Sequence, residues 1–219
     1  MNDQLSRYQA FETFKEVPRI DVKRCFVAAQ YFGTLERGNT RYLPKLTRQD
    51  FVDRLQTSKD YAQTILEPEL DERILEGNYP KRLKMYNACT WYIGVVFADE
   101  VGVWKGAGGL PVAWTYGSLE DTARYVSHAL RSNETILPAR ARRVIPRITL
   151  NLNLIEQEPY LYPIIAPGAT MGRGLNGRPY THFELMNGDI EDGCMRSIAL
   201  AHQGRSKFLA YVGMKNIKK

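Results

Sequence analysis

The stretch from Asn133 to Gly188 restricts the fold of this chain more than any other. Pro159, Pro163 and Pro167 lack the backbone N–H that a helix needs, so the segment they punctuate is expected to run extended. Gly168, Gly172, Gly174 and Gly177 follow directly, and glycine permits the left-handed backbone of tight loops. Charge turns unusual in the same place. Arg140, Arg142, Arg143 and Arg147 precede the prolines with no acidic residue between Pro138 and Ile155. Pro159 to Phe183 again contains no Asp or Glu, while Arg173 and Arg178 sit among the glycines.

Ahead of this stretch the patterns are mainly helical. Leu5, Tyr8, Phe11 and Phe14 recur at spacing three and predict a helix over 3–16 that Pro18 ends. Asp21 can cap a second helix, Val22–Phe32, with Gly33 past its end. Thr47 and Asp50 form a capping-box pattern before a helix from Arg48 to about Leu66, whose apolar pattern slips at Thr57–Lys59 and suggests a break. Its buried face is expected to hold Phe51, Leu55, Ala62 and Ile65. Pro68 opens a short acidic helix closed by Gly77, and Pro80 starts another. Trp91–Phe97 fits either a continued helix or a buried strand, because periodicity alone does not separate the two.

Val101–Trp104 and Leu110–Tyr116 read as two short strands around the flexible turn Gly106–Gly109. Ser118 and Asp121 begin an amphipathic helix through Leu119, Ala123, Val126, Ala129 and Leu130. Strict alternation of Ile148, Leu150, Leu152 and Leu154 with polar residues predicts a strand. Ile190–Ala201 is expected as a late helix and Phe208–Met214 as a last strand. The fold class these patterns predict is α+β and α-rich: a helical N-terminal two thirds packed with a small, mainly antiparallel sheet from the 90–116 and 144–165 regions. One domain of 219 residues is expected, with 1–33 a candidate docking arm or a lid on the domain's own core.

Composition narrows the class of function. Apolar runs such as Trp91–Ala98 are too short to cross a bilayer, and the N-terminus lacks the apolar core of a secretory signal. Cys25, Cys89 and Cys194 are far apart and without zinc spacing, which suits unpaired thiols in the cytoplasm or another reducing compartment. The net charge of +6 is unevenly spread, with no acid after Asp192. Such asymmetry favours an anionic partner, nucleic acid before a membrane surface.

Several groupings carry chemistry. Gly172-x-Gly174-x-x-Gly177 with Arg173 and Arg178 can bring bare N–H groups and guanidinium forks to a phosphate. Its plainer reading is a surface loop, since no GK[ST] ending or helical pattern follows. The Arg140, Arg142, Arg143 and Arg147 run can follow a phosphate backbone, with Tyr160, Tyr162 and Tyr180 near enough in sequence to stack on bases. His182 and Glu184 share one face of a strand and are the catalytic candidates. Asp189 and Asp192 could hold Mg²⁺ or Mn²⁺, although acids before a helix more simply complement its dipole.

The function expected from these residues is binding of single-stranded nucleic acid, RNA more than DNA, without cofactor; assembly as a homo-oligomeric nucleoprotein or coat is compatible with the sequence but not demanded by it. Arg140, Arg142, Arg143, Arg147, Gly172, Arg173, Gly174 and Arg178 would contact phosphate. One alternative is a Mg²⁺- or Mn²⁺-dependent phosphoesterase or nucleotide-processing enzyme using His182 and Glu184. Another is a basic adaptor for an acidic protein.

Overall fold

The structure is a computed structural model that describes residues 12–37, 47–77, 79–132, 147–148, 151, 161–166 and 189–215. Pro18 separates strand β1 (Glu12–Val17) from helix α1 (Arg19–Arg37). The helix expected over 3–16 is therefore overturned at its C-terminal end, where 12–17 pairs antiparallel with a strand further along. Thr13, Phe14 and Val17 suit a strand as readily as a helix, and the neighbouring edge decides between them. Helix α1 also runs on through Gly33. One glycine costs a helix roughly 1 kcal/mol, which the burial of Val22, Cys25, Phe26 and Val27 outweighs.

Helix α2 (Arg48–Thr64) starts with the expected capping box: Asp50 N donates to Thr47 Oγ1 at 3.2 Å, and Thr47 N donates to the Asp50 carboxylate at 2.6 Å. It does not break at 57–59. Thr57 and Ser58 donate their hydroxyls to the Asp53 and Arg54 carbonyls, both at 2.8 Å, so the polar residues are satisfied within the helix. Phe51, Leu55, Ala62 and Ile65 are all buried. Helix α3 (Glu67–Glu76) has Pro68 in its first turn and closes at Gly77. Helix α4 (Pro80–Ala88) gives way at Cys89 to strand β2 (Cys89–Phe97), which settles the ambiguous Trp91–Phe97 run as strand.

The two strands expected in 101–116 are absent. Residues 107–109 and 112–115 are single 3-10 turns. Gly106, Gly108 and Gly109 take φ of 74°, 59° and 91° and fold the chain back on itself. Thr115 Oγ1 locks the fold-back, accepting from Gly106 N at 2.7 Å and donating to Val112 O at 3.1 Å. Helix α5 (Leu119–Ser132) follows, capped by Ser118 and Asp121 as expected.

Arg147, Ile148 and Asn151 are helical, and Asn151 Nδ2 donates to Arg147 O at 2.8 Å, which overturns the expected strand at Ile148 and Asn151, while Leu150, Leu152 and Leu154 lie outside the described residues. The remaining strands are β3 (Ile164–Ile165), β4 (Ile190–Asp192) and β5 (Lys207–Lys215), with helix α6 (Cys194–His202) before β5. The late helix expected from Ile190 thus begins four residues later, because Gly193 at φ 88° turns the chain out of the sheet first.

The sheet order is β1-β2-β5-β3-β4, parallel only between β3 and β5. Its longest seam runs from Cys89 opposite Lys215 to Phe97 opposite Lys207. The fold is α+β and helix-rich, with a mixed, mainly antiparallel sheet. Side-chain alternation sends successive residues to opposite faces. Ile164 packs with α1–α4, among Val22, Phe26, Leu70, Tyr86 and Trp91. Ile165 packs with α5 and α6, among Val96, Leu119, Val126 and Ile198. Both isoleucines are fully buried, and each contributes roughly 1.5–3 kcal/mol of apolar burial. No helix among the described residues is long and apolar enough to cross a membrane.

Candidate functional site

The C-terminal half of α1, the start of α4, the glycine fold-back, Arg147, Asn151 and the β4–α6 junction surround a cleft of about 590 Å³. Four cations line it, Arg82, Lys105, Arg147 and Arg196, against two carboxylates, Glu191 and Asp192. Tyr79, Trp104 and Phe32 add aromatic surface.

Each carboxylate accepts a hydrogen bond from an arginine. Arg82 Nε donates to Glu191 Oε1, and Nη2 donates to the Glu191 carbonyl at 3.1 Å. The Arg82 guanidinium also lies over the rings of Tyr79 and Phe26, 4.5 Å and 5.1 Å from their centroids. Burial works against the Arg82 charge, but Glu191 and Asp192 more than offset it, so its pKa sits above the usual arginine value. Asp192 accepts from Arg196 Nη2 at 2.8 Å, one helical turn along. Arg196 Nε is buried and has no hydrogen-bond partner among the described residues. The two arginines therefore hold the wall of the cleft, while Lys105 is exposed at its edge and Arg147 is half-buried.

The same wall presents the N-terminus of α6. Gly193 is its N-cap and supplies no side-chain acceptor, and Gly193, Cys194, Met195 and Arg196 of this helix start all line the cleft. That end of a helix carries a partial positive charge and suits an anion. Burial pushes the Cys194 thiol up to about 12, and its Sγ donates to Ile190 O at 3.7 Å. Burial likewise pushes the Cys25 thiol up to about 12. Tyr86, beneath the wall, is held neutral by burial and by the charges of Asp192 and Glu191.

Of the residues singled out in the sequence, Arg147 lines this cleft and Asp192 is held by Arg196. Asp189 is buried just before β4. Among the described residues no group of three His, Cys, Asp or Glu side chains is placed to hold a metal. Arg140, Arg142, Arg143, Gly172, Arg173, Gly174, Arg178, His182 and Glu184 lie outside the described residues. Sequence reasoning missed Lys105, Arg82, Arg196 and Gly193. The glycines at 106–109 were the available signal, read only as a flexible turn. No family model, no curated protein and no solved structure matches this chain.

Proposed function

We propose that this protein binds single-stranded nucleic acid, RNA before DNA, with the phosphate backbone lying in the cleft between the glycine fold-back and α6. One observation carries the reading: Lys105, Arg147 and the first residues of α6, whose N-cap Gly193 has no side-chain acceptor, line a single cleft whose acids are bonded to Arg82 and Arg196. An anion entering it meets four cationic side chains against two carboxylates, each of which already accepts from an arginine. Tyr79 and Trp104 offer rings for bases to stack on, a contact that tolerates any sequence. Arg147 ends the run that begins at Arg140, so the chain that reaches the cleft brings three further arginines in sequence. That density of charge favours a polyanion over a lone phosphate.

The test is fluorescence anisotropy of labelled single-stranded RNA, single-stranded DNA and duplex, with an acidic peptide as competitor and with or without Mg²⁺. The reading expects retention of single strands without turnover, weakened by Lys105→Ala with Arg147→Ala. Metal-dependent cleavage lost in His182→Ala would replace it with the phosphoesterase reading. Preference for the acidic peptide would replace it with the adaptor reading.

A further inference from the structure

Helix α5 turns an aromatic ring to solvent. Its buried face is made by Leu119, Thr122, Ala123, Val126 and Ala129, and Tyr125 stands off that face with 49% of its surface exposed. Trp114, from the 3-10 turn that precedes the helix, is half-buried against the core under α5 and α6. Its ring lies near-parallel to that of Tyr125, with centroids 6.2 Å apart and 10° between the planes.

The pair adjoins the cleft. Gly106 lines the cleft and donates its N–H to Thr115 Oγ1 at 2.7 Å, one residue beyond Trp114. Val112 Cγ2 is 3.8 Å from where a Cβ on Gly106 would stand, and Val112 is itself half exposed. The rim of the cleft therefore runs directly into the turn that carries Trp114.

The size of the patch selects its occupant. A half-exposed tyrosine offers about 100 Å² of the roughly 150–250 Å² that an aromatic side chain can bury. Even with Val112 and the exposed part of Trp114, this stays far below the roughly 800 Å² that each partner contributes to a stable protein interface. It matches the face of one or two bases, which stack on an aromatic ring whatever their sequence.

We propose that the Trp114–Tyr125 pair is a stacking platform for an unpaired nucleobase of the strand that leaves the cleft over the glycine fold-back. The platform rests on the nucleic-acid reading above and extends its path: phosphates lie in the cleft, and a base lies on Tyr125.

Anisotropy of the full chain with labelled RNA oligoadenylate, and with an abasic strand of the same length and backbone, tests the proposal. Tyr125→Leu removes the ring from an exposed position and keeps an apolar side chain and a good helix former. It should weaken oligoadenylate at least about fivefold and leave the abasic strand within about twofold of its wild-type affinity. The salt slope for oligoadenylate should not change, because no phosphate contact is lost. Tyr125→Phe, which keeps the ring, should bind as the wild type does. A smaller loss on oligoadenylate, an equal loss on both strands, or a lowered salt slope overturns the platform and leaves the cleft reading standing. Self-association abolished by Tyr125→Leu, with oligoadenylate held as before, would make this face a contact between copies instead. A wild-type chain that holds neither strand fails the nucleic-acid reading itself, and the platform with it.

Discussion

The Cβ that Gly193 lacks would lie 2.7 Å from Nη2 of Arg196. The guanidinium folds back over the glycine, fixed there by its bond to Asp192, and so shapes the wall of the cleft at the mouth of α6. Gly193 is also at φ 88°, where a side chain is disfavoured by about 1–2 kcal/mol. Gly193→Ala is therefore expected to destabilise by that amount plus the displacement of Arg196. Gly204 separates the two effects: its φ is 80° but a Cβ there meets nothing within 4 Å. In urea unfolding, Gly193→Ala should lose more stability than Gly204→Ala, and the excess should vanish when Arg196 is also replaced by Ala.

Gly213 faces Trp91 across the β2–β5 seam, and a Cβ would meet Trp91 Cη2 and Cζ3 at 2.7 Å. Trp91 is buried and its Nε1 donates to Tyr86 O at 3.0 Å, so the ring has little freedom to retreat. Gly213→Ala should cost roughly 1–3 kcal/mol by overpacking. Gly33→Ala, in the interior of α1 with open space around it, should stabilise by about 0.5–1 kcal/mol. Unfolding midpoints of the two variants are expected to move in opposite directions.

Lys23 is buried and holds Glu67 Oε1 at 2.9 Å and Asp71 Oδ1 at 2.6 Å, whereas both carboxylates keep about a third of their side chains in water. The pair is asymmetric. Glu67→Gln with Asp71→Asn strands a buried ammonium and should cost about 3 kcal/mol or more. Lys23→Met leaves Glu67 bonded to Arg19 and both carboxyl side chains about a third exposed, although Asp71 Oδ1 itself is buried, and should cost less. The Lys23 hydrogen bond holds the Glu67 carboxyl below its usual 4.5, so this part of the stability is present above that pH and lost as pH falls through the lowered value. Acid titration of the unfolding free energy should show the loss in the wild type and not in Glu67→Gln.

Helices α5 and α6 meet at Ser127 Oγ and His202 Nδ1, 2.6 Å apart. The Ser127 hydroxyl lies 2.7 Å from Ala123 O, and donating there leaves Nδ1–H of His202 to donate to the serine. Burial, and then the charge of Arg131, hold the His202 pKa below 6.5. The unfolded chain thus takes up the proton first, and stability present above that pH declines as the solution is acidified. Between about pH 7.5 and 5.5, the melting temperature of the wild type should fall further than that of His202→Asn.

The helices were legible in the sequence where their ends are written locally. Thr47 with Asp50 and Ser118 with Asp121 announce two of them by side chains that bond their own backbone. The alternation from Ile148 misled at Ile148 and Asn151, which are helical, because apolar residues at every second place also fall four apart and so satisfy a helix as well as a strand. Glu12–Val17 misled for a different reason: its partner, Trp91–Val95, is some 80 residues away and no local pattern records it. The cleft was the least legible. Gly33, Arg82, Lys105, Arg147 and Gly193 come from five separated segments, and only the topology brings them together. The paired state of Arg82 and Arg196 depends on the same distant meeting.

The salt dependence of single-stranded RNA binding tests the central claim most directly. If Lys105 and Arg147 each neutralise a phosphate in the cleft, Lys105→Ala with Arg147→Ala should lower the slope of log K against log salt by about 1.4, some 0.7 for each lost contact. Circular dichroism should show the double variant folded as the wild type is. An unchanged slope in a folded double variant would contradict the assignment of the cleft as the nucleic-acid site.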